Sequence, residues 1–330
     1  DMEKAYDRVE WPFLLFMLCS YGFSEFAVDL LFRTLSNSWF SVLVNGQPSG
    51  FFKSIRGVRQ GDPLSPALFL VVAEFLGQGL QMLCHNRADM GYVSAGDRVP
   101  YLAFADDTII FTRCSETCLL ALRDSLLLYQ QHSGQKVNIG KSAFLSSSSL
   151  PADLDNLVGS TLGFHKQCFP LKYLGVPLAR GRMGAIIFDP LLASLRARLF
   201  HWSSKLLSMG GKVILLRHVL SSLPLFLLQA LCPPKSVLVA MGRICNSFLW
   251  DSNVESRRVH RVALDMLCFP VQQGGLGVRP SRDPVGALAC MSWCQLHKNV
   301  SPWAVFMHKK YIKCLRPLLV AGDRPSASWR

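Results

Sequence analysis

Two adjacent aspartates, Asp106 and Asp107, stand inside the apolar run "YLAFADDTII". Neighbouring carboxylates repel each other, and apolar surroundings solvate neither of them well. Two arrangements relieve that cost. One is a tight surface turn with both acids in water. The other is a divalent cation, because hard ions such as Mg2+ take carboxylate oxygens. The second arrangement needs another acid from elsewhere in the chain. The opening stretch "DMEKAYDRVEW" offers Asp1 and, beyond the aromatic Tyr6, Asp7. Alone these are ordinary acids at the start of a helix.

The flanking patterns indicate which elements must carry these groups. Residues 101–104 and 108–111 are short, aromatic and β-branched, so both read as strands, with Ala105–Asp106–Asp107 at the tip of a hairpin. Residues 13–39 read as helical with a break at Gly22. "SVLVNGQPSGFFKSIRG" alternates around Asn45–Gly46, a two-residue hairpin signal. "GVRQGDPLSP" is a loop leading into a helix over 67–83, with Pro63 and Pro66 near its start. A helix over 115–133 should stop at Gly134. "KVNIGKSAFL" reads as strand and turn, "SSSSLP" at 146–151 as a linker, and "LKYLGVPL" as strand. Helical patterns dominate from 185 onward, broken at Gly210–Gly211, Pro224 and Pro233–Pro234. This order predicts an α+β domain followed by a mostly helical one.

Half of the 330 residues are hydrophobic and 17% are charged, which excludes global disorder. The most apolar stretches carry Glu74, Gln78 and Gln81, or Arg217, His218 and Pro224, and read as buried helices rather than membrane spans. The net charge of +13 is uneven. Residues 1–179 hold 14 Lys and Arg against 16 Asp and Glu, whereas residues 180–330 hold 21 against 6. An acidic half followed by a basic half suggests metal-dependent chemistry joined to a polyanion-binding region. Within 180–261 there are 12 cations against three acids, with Trp202 and Trp250 among them. The 11 cysteines follow no disulfide framework, and the Cys114/Cys118 and Cys290/Cys294 pairs read as packing rather than zinc ligation.

The order of the motifs is more specific than any one of them. "DMEKAYD", "GVRQGDPLSP", "FADD", "NIGKS" and "YLGVPL" follow one another over residues 1–179. The series resembles the palm of reverse transcriptases, and in detail those of non-LTR (LINE-type) retrotransposons, especially plant ones. A looser resemblance continues through "FLWDS" to "LCFPVQQGGLGVR". The resemblance implies a palm over 1–179 (mixed helices and antiparallel sheet), a basic helical thumb over 180–262 and a helical extension over 263–330. It implies RNA-directed DNA synthesis from a DNA primer 3′-hydroxyl on an RNA template with dNTPs. Asp1, Asp106 and Asp107 become the ligands of two Mg2+ ions, with Mn2+ as the alternative. Such ions sit about 3.5–4 Å apart and stabilise both attacking and leaving oxygens.

By the same resemblance Tyr6 matches an aromatic gate beneath the sugar, although it could equally pack under the following helix. Gln60 and Gly61 fall on the loop lining the nucleotide pocket, where a missing Cβ permits close approach. Lys141 matches a lysine that protonates pyrophosphate, or is a solvated turn residue. Tyr173, Leu174 and Gly175 match the primer grip, or a core strand. In "VQQGGLG", glutamines stand where relatives carry a lysine. The rival readings are a non-catalytic nucleic-acid-binding remnant and a group II intron maturase-like palm, the "YLGVPL" and "GGLG" context favouring the LINE type. The expected setting is intracellular, nuclear or cytoplasmic, with no membrane contact. Because the chain starts within a motif, fingers and an endonuclease are expected upstream of it, and the isolated 330 residues are expected not to polymerise.

Overall fold

The computed structural model describes residues 1–94, 96–147, 150–180, 184–201, 207–220, 225–250, 262–278 and 282–312. Trp202, Ser148 and Ser149 of the serine linker, Pro224, and Asp251 and Ser252 of "FLWDS" lie outside them. The chain forms two compact units, Asp1–Cys168 and Phe169–Arg330.

The first unit begins with α1 (Trp11–Ser20) and α2 (Glu25–Ser36), separated at Gly22 as the sequence suggests. Ser24 caps α2, its hydroxyl accepting the Ala27 N–H at 3.3 Å. β1 (Trp39–Val44) and β2 (Gln47–Lys53) pair antiparallel around Asn45 and Gly46, both at positive φ. That is the geometry the Asn-Gly pair selects. α3 (Ser65–Asn86) follows, its start fixed by Pro66 and by Asp62, whose carboxylate accepts the Leu64 N–H at 2.9 Å. Leu68, Val72, Leu76, Leu80 and Cys84 recur every fourth residue and are buried. α3 is long and apolar enough to cross a membrane by length and composition, yet this stripe belongs to the core, packed against α1 and α4 (Glu116–Ser133).

Between α3 and α4 lie two antiparallel hairpins, β3 (Tyr92–Ser94) with β4 (Asp97–Val99), and β5 (Tyr101–Phe104) with β6 (Asp107–Ile110). The first was not legible from the alternation pattern. α4 stops at Gly134, whose φ of +73 forms the left-handed cap. β7 (Ala143–Phe144), α5 (Ala152–Leu162) and β8 (His165–Lys166) complete the unit, with β7 and β8 parallel. Among the described residues every sheet has two strands. Fold class is as expected, mixed helix and sheet, though the sheet is in pieces and one pair is parallel rather than antiparallel.

The second unit opens on the hairpin β9 (Leu171–Tyr173) and β10 (Val176–Leu178) and is otherwise helical. Its helices include α6 (Asp189–His201), α7 (Met209–Leu215), α8 (Leu225–Ala230), α9 (Lys235–Trp250), α10 (Leu264–Leu267), α11 (Arg282–Lys298) and α12 (Pro302–Met307). Leu195, Leu199, Val213, Met241, Ile244 and Phe248 form its core, with Trp250 packed against them. Among the described residues ten cysteines stand outside any disulfide. Cys118 is buried and donates to the Asp89 carboxylate at 2.8 Å, whereas Cys290 and Cys294 are exposed, so packing explains only the first pair.

Candidate active site

Asp1 is held by backbone pairing. Met2 bridges Val137, the Glu3 N–H donates to Lys136 O at 2.8 Å, and the Asn138 N–H donates to Asp1 O at 3.0 Å. The "NIGK" turn folds back on itself, with the Lys141 N–H donating to the Asn138 side chain at 3.2 Å. Lys141 Nζ thereby comes to 3.8 Å from Asp1 Oδ2. The Lys141 side chain is mostly exposed, so this pair contributes little to stability; its interest is placement.

Asp106 and Asp107 lie on the β5–β6 hairpin. Phe104 pairs with Asp107, so the turn is Ala105–Asp106 and Asp107 is the first residue of β6. The sequence reading put all three residues at the tip; pairing across a two-residue turn draws the second acid into the strand. Ala105 adopts φ 51°, a left-handed conformation that costs an L-residue about 1 kcal/mol. Burial lowers the Asp1 α-amino pKa, and the Asp107 and Asp106 carboxylates oppose that lowering while Lys141 adds to it. Asp106, Asp107 and Lys141 therefore all act on the same α-amino group of Asp1. The four residues arrive from three separate segments.

Tyr6 and the "VRQG" loop are joined through the backbone. Val58 N–H donates to Tyr6 O and Gly57 N–H to Val9 O, both at 2.8 Å. Trp11 Nε1 donates to Gly57 O at 2.7 Å. Gln60 Nε2 donates to Asp7 Oδ1 at 3.3 Å, which gives the second acid of the opening motif a partner. Gly61 sits at φ +90°, and a Cβ there would meet nothing within 4 Å. The loop thus presents open space on its outer side. The Tyr6 ring stacks on Phe69 of α3 with centroids 5.0 Å apart and 14° between planes.

Sequence reasoning missed what clamps this segment. A Cβ on Gly57 would stand 2.8 Å from Asp7 O, and one on Gly134 would stand 2.6 Å from Arg8 O and strike the Glu10 side chain. Gln135, 2% exposed, donates its amide to Ala5 O at 2.8 Å. Gly134 reads in sequence only as a helix terminator. Its second function is clearance, and that leads to a test. Gly134 and Gly163 both cap helices at φ +73°, but a Cβ at Gly163 meets nothing within 4 Å. Gly163→Ala should cost about 1 kcal/mol in urea unfolding, the backbone term alone. Gly134→Ala should cost about 1–3 kcal/mol more, from overpacking. Equal losses would mean that the 8–10 segment gives way freely.

Tyr173 ends β9 and pairs with Val176, and Leu174 and Gly175 form the two-residue turn of the β9–β10 hairpin, at φ 49° and φ 79°. They belong to the second unit. Two of the cations in the basic region are held by backbone carbonyls. Lys212 is buried, its ammonium donating to Leu249 O at 3.3 Å and lying 5.5 Å from the Phe248 ring centroid. Arg217 donates through Nε to Leu276 O at 2.8 Å, within the "GGLG" turn. These two charges serve the fold, as helix and loop carbonyls attract them.

A hard divalent cation is tested here by donor chemistry. Three carboxylates supply only oxygen, the set that Mg2+ takes. Among the described residues no three acidic, histidine or cysteine side chains stand close enough to share one ion. The donor types fit.

Comparison with known proteins bears on the same segments. Residues 1–178 match the family model described as "Reverse transcriptase (RNA-dependent DNA polymerase)". A transposon TX1 uncharacterized 149 kDa protein of Xenopus laevis is 28% identical over 285 residues, which is 84% of this chain and 21% of that protein. A putative ribonuclease H protein of Arabidopsis thaliana is 31% identical over 160 residues, 47% of this chain and 26% of that protein. The Retrovirus-related Pol polyprotein from type-2 retrotransposable element R2DM of Drosophila melanogaster is 31% identical over 141 residues, 43% of this chain and 13% of that protein. The chain spans about a quarter or less of the length of these relatives. With the family model matching more than half its length, the chain belongs to the reverse transcriptase (RNA-dependent DNA polymerase) family.

Proposed function

We propose that this chain supplies the palm and a nucleic-acid-binding helical unit of a LINE-type reverse transcriptase, which extends a primer 3′-hydroxyl with dNTPs along an RNA template. The observation that supports this reading is that Lys141 stands 3.8 Å from Asp1 and that Asp106 and Asp107, from a third segment, act on the Asp1 α-amino group. Nucleotidyl transfer asks little of a protein beyond positioning and charge neutralisation. Asp1, Asp106 and Asp107 would hold divalent metal, which lowers the pKa of the attacking hydroxyl and offsets charge on the leaving pyrophosphate. Lys141, mostly exposed beside Asp1, is free to reach a phosphate and donate a proton to it. Gln60 and the open backbone at Gly61 receive the nucleotide, and Tyr6 lies where a sugar would be read. Tyr173, Leu174 and Gly175 offer a stiff hairpin for the primer end. Template-dependent dNTP incorporation, measured in the native polypeptide context on an RNA template, tests the reading. Binding without incorporation would overturn it.

In the second unit, α6 buries Leu195 and Leu199 and exposes Arg196 and Arg198. Cations on the outer face of a packed helix meet phosphates without reading sequence. Replacing both arginines by alanine should weaken duplex binding and flatten the plot of log affinity against log salt by about 1 per lost phosphate contact. An unchanged slope would remove α6 from the interface. Lys212 and Arg217, held by backbone carbonyls, are not expected to contribute to that slope.

A further inference from the structure

We propose that Phe69 is a positioning residue that sets sugar discrimination through Tyr6, an inference resting on the reading of Tyr6 as the gate. The backbone of the gate is fixed without reference to its ring: Gln135 holds Ala5 O and Val58 holds Tyr6 O, each at 2.8 Å. What remains free is the side-chain torsion. The Phe69 ring lies nearly parallel to Tyr6, at 14° and 5.0 Å, and stacked rings resist both tilt and approach. Phe69 is 2% exposed while Tyr6 is only half-buried, so one ring is anchored and the other rests on it.

The anchor is also continuous with the nucleotide loop. Phe69 lies in the second turn of α3, whose start is tied to Asp62 directly after Gln60 and Gly61. Loop and support therefore move as one element, and the height of the gate is referred to the loop that receives the nucleotide. Phe69 also lines a cavity of about 30 Å³, together with Met2, Ala105, Asp106 and Tyr129. It has room for a water. Shortening Phe69 would merge the lost ring volume with this cavity, and cores collapse only partly into such voids. The Tyr6 ring would then have somewhere to sink, and a gate that sinks makes room for a 2′-hydroxyl.

The test compares kcat/KM for rNTP and dNTP incorporation by the protein in its native polypeptide context, for Phe69→Leu, Phe69→Ala, Tyr6→Val and Val72→Ala. Val72 is fully buried one turn further along α3 and reports simple core damage. Phe69→Leu should raise rNTP use relative to dNTP use about tenfold, with dNTP kcat/KM nearly unchanged. Val72→Ala should lower the melting temperature and leave the ratio alone. Should Phe69→Ala fail to fold, Phe69→Leu decides the matter. Discrimination that survives both Phe69 variants but collapses in Tyr6→Val overturns the inference and spares the gate. Discrimination that survives all of them overturns both, and the absence of incorporation by the unmodified protein overturns the polymerase reading and the inference with it.

Discussion

Asp106→Asn should reduce RNA-templated primer extension by about a thousandfold or more while leaving nucleic-acid binding almost intact. The amide has nearly the shape of the carboxylate, so the Ala105–Asp106 turn and the Phe104–Asp107 pair should survive. What changes is charge. Asp106 acts on the same group as Asp107 and Lys141, and it lines the cavity below the hairpin. Removing one negative charge weakens any cation shared with Asp1 and Asp107, and an interaction aimed at developing charge is worth about 10²–10³ in rate or more. The exposed cations Arg196 and Arg198, proposed for phosphate contact, belong to the second unit, so affinity should not follow activity. Two measurements check this together: single-nucleotide incorporation and duplex affinity at one salt concentration. Near-normal incorporation would exclude Asp106 from the reacting centre.

Much of the first unit was legible because its signals are local. The Asn45–Gly46 turn, the stop at Gly134 and the "FADD" hairpin each follow from the conformations that a few adjacent residues tolerate. The candidate residues were legible for a different reason, since their order resembles a known series. What could not be read depends on partners remote in the chain. Gln135 looks like a turn residue until its amide is found on Ala5 O, 130 positions away. Gly57 and Gly134 reveal their clearance only when the 7–10 segment lies between them. Lys212 and Arg217 count as surface charge in any composition, and only packing shows that carbonyls hold them. The parallel β7–β8 pair joins two-residue strands, too short for any periodicity. Charge counts thus overstate the cations available to nucleic acid, whereas turn chemistry was read almost to the residue.

Replacing Tyr6 by valine should raise the relative use of ribonucleotides by about a hundredfold, with dNTP incorporation largely kept. Stability alone cannot decide what Tyr6 does. Losing the stack on Phe69 should cost about 0.5–1.5 kcal/mol beyond the buried area, whether the ring is a gate or merely core. Discrimination separates the two, because only a ring at the sugar changes the penalty for one extra hydroxyl. Tyr6→Phe supplies the matching control: it keeps the ring and its stack, removes only the phenol, and should retain dNTP selectivity. Backbone ties at Ala5 and Tyr6 make a local effect credible, since both run to backbone oxygens that the substitution leaves in place. If Tyr6→Val melts lower yet discriminates as before, the ring is a packing residue and selectivity must come from the Gln60–Gly61 loop. If both Tyr6→Val and Tyr6→Phe lose selectivity, the phenol rather than the bulk of the ring reads the sugar, and a steric gate is the wrong description.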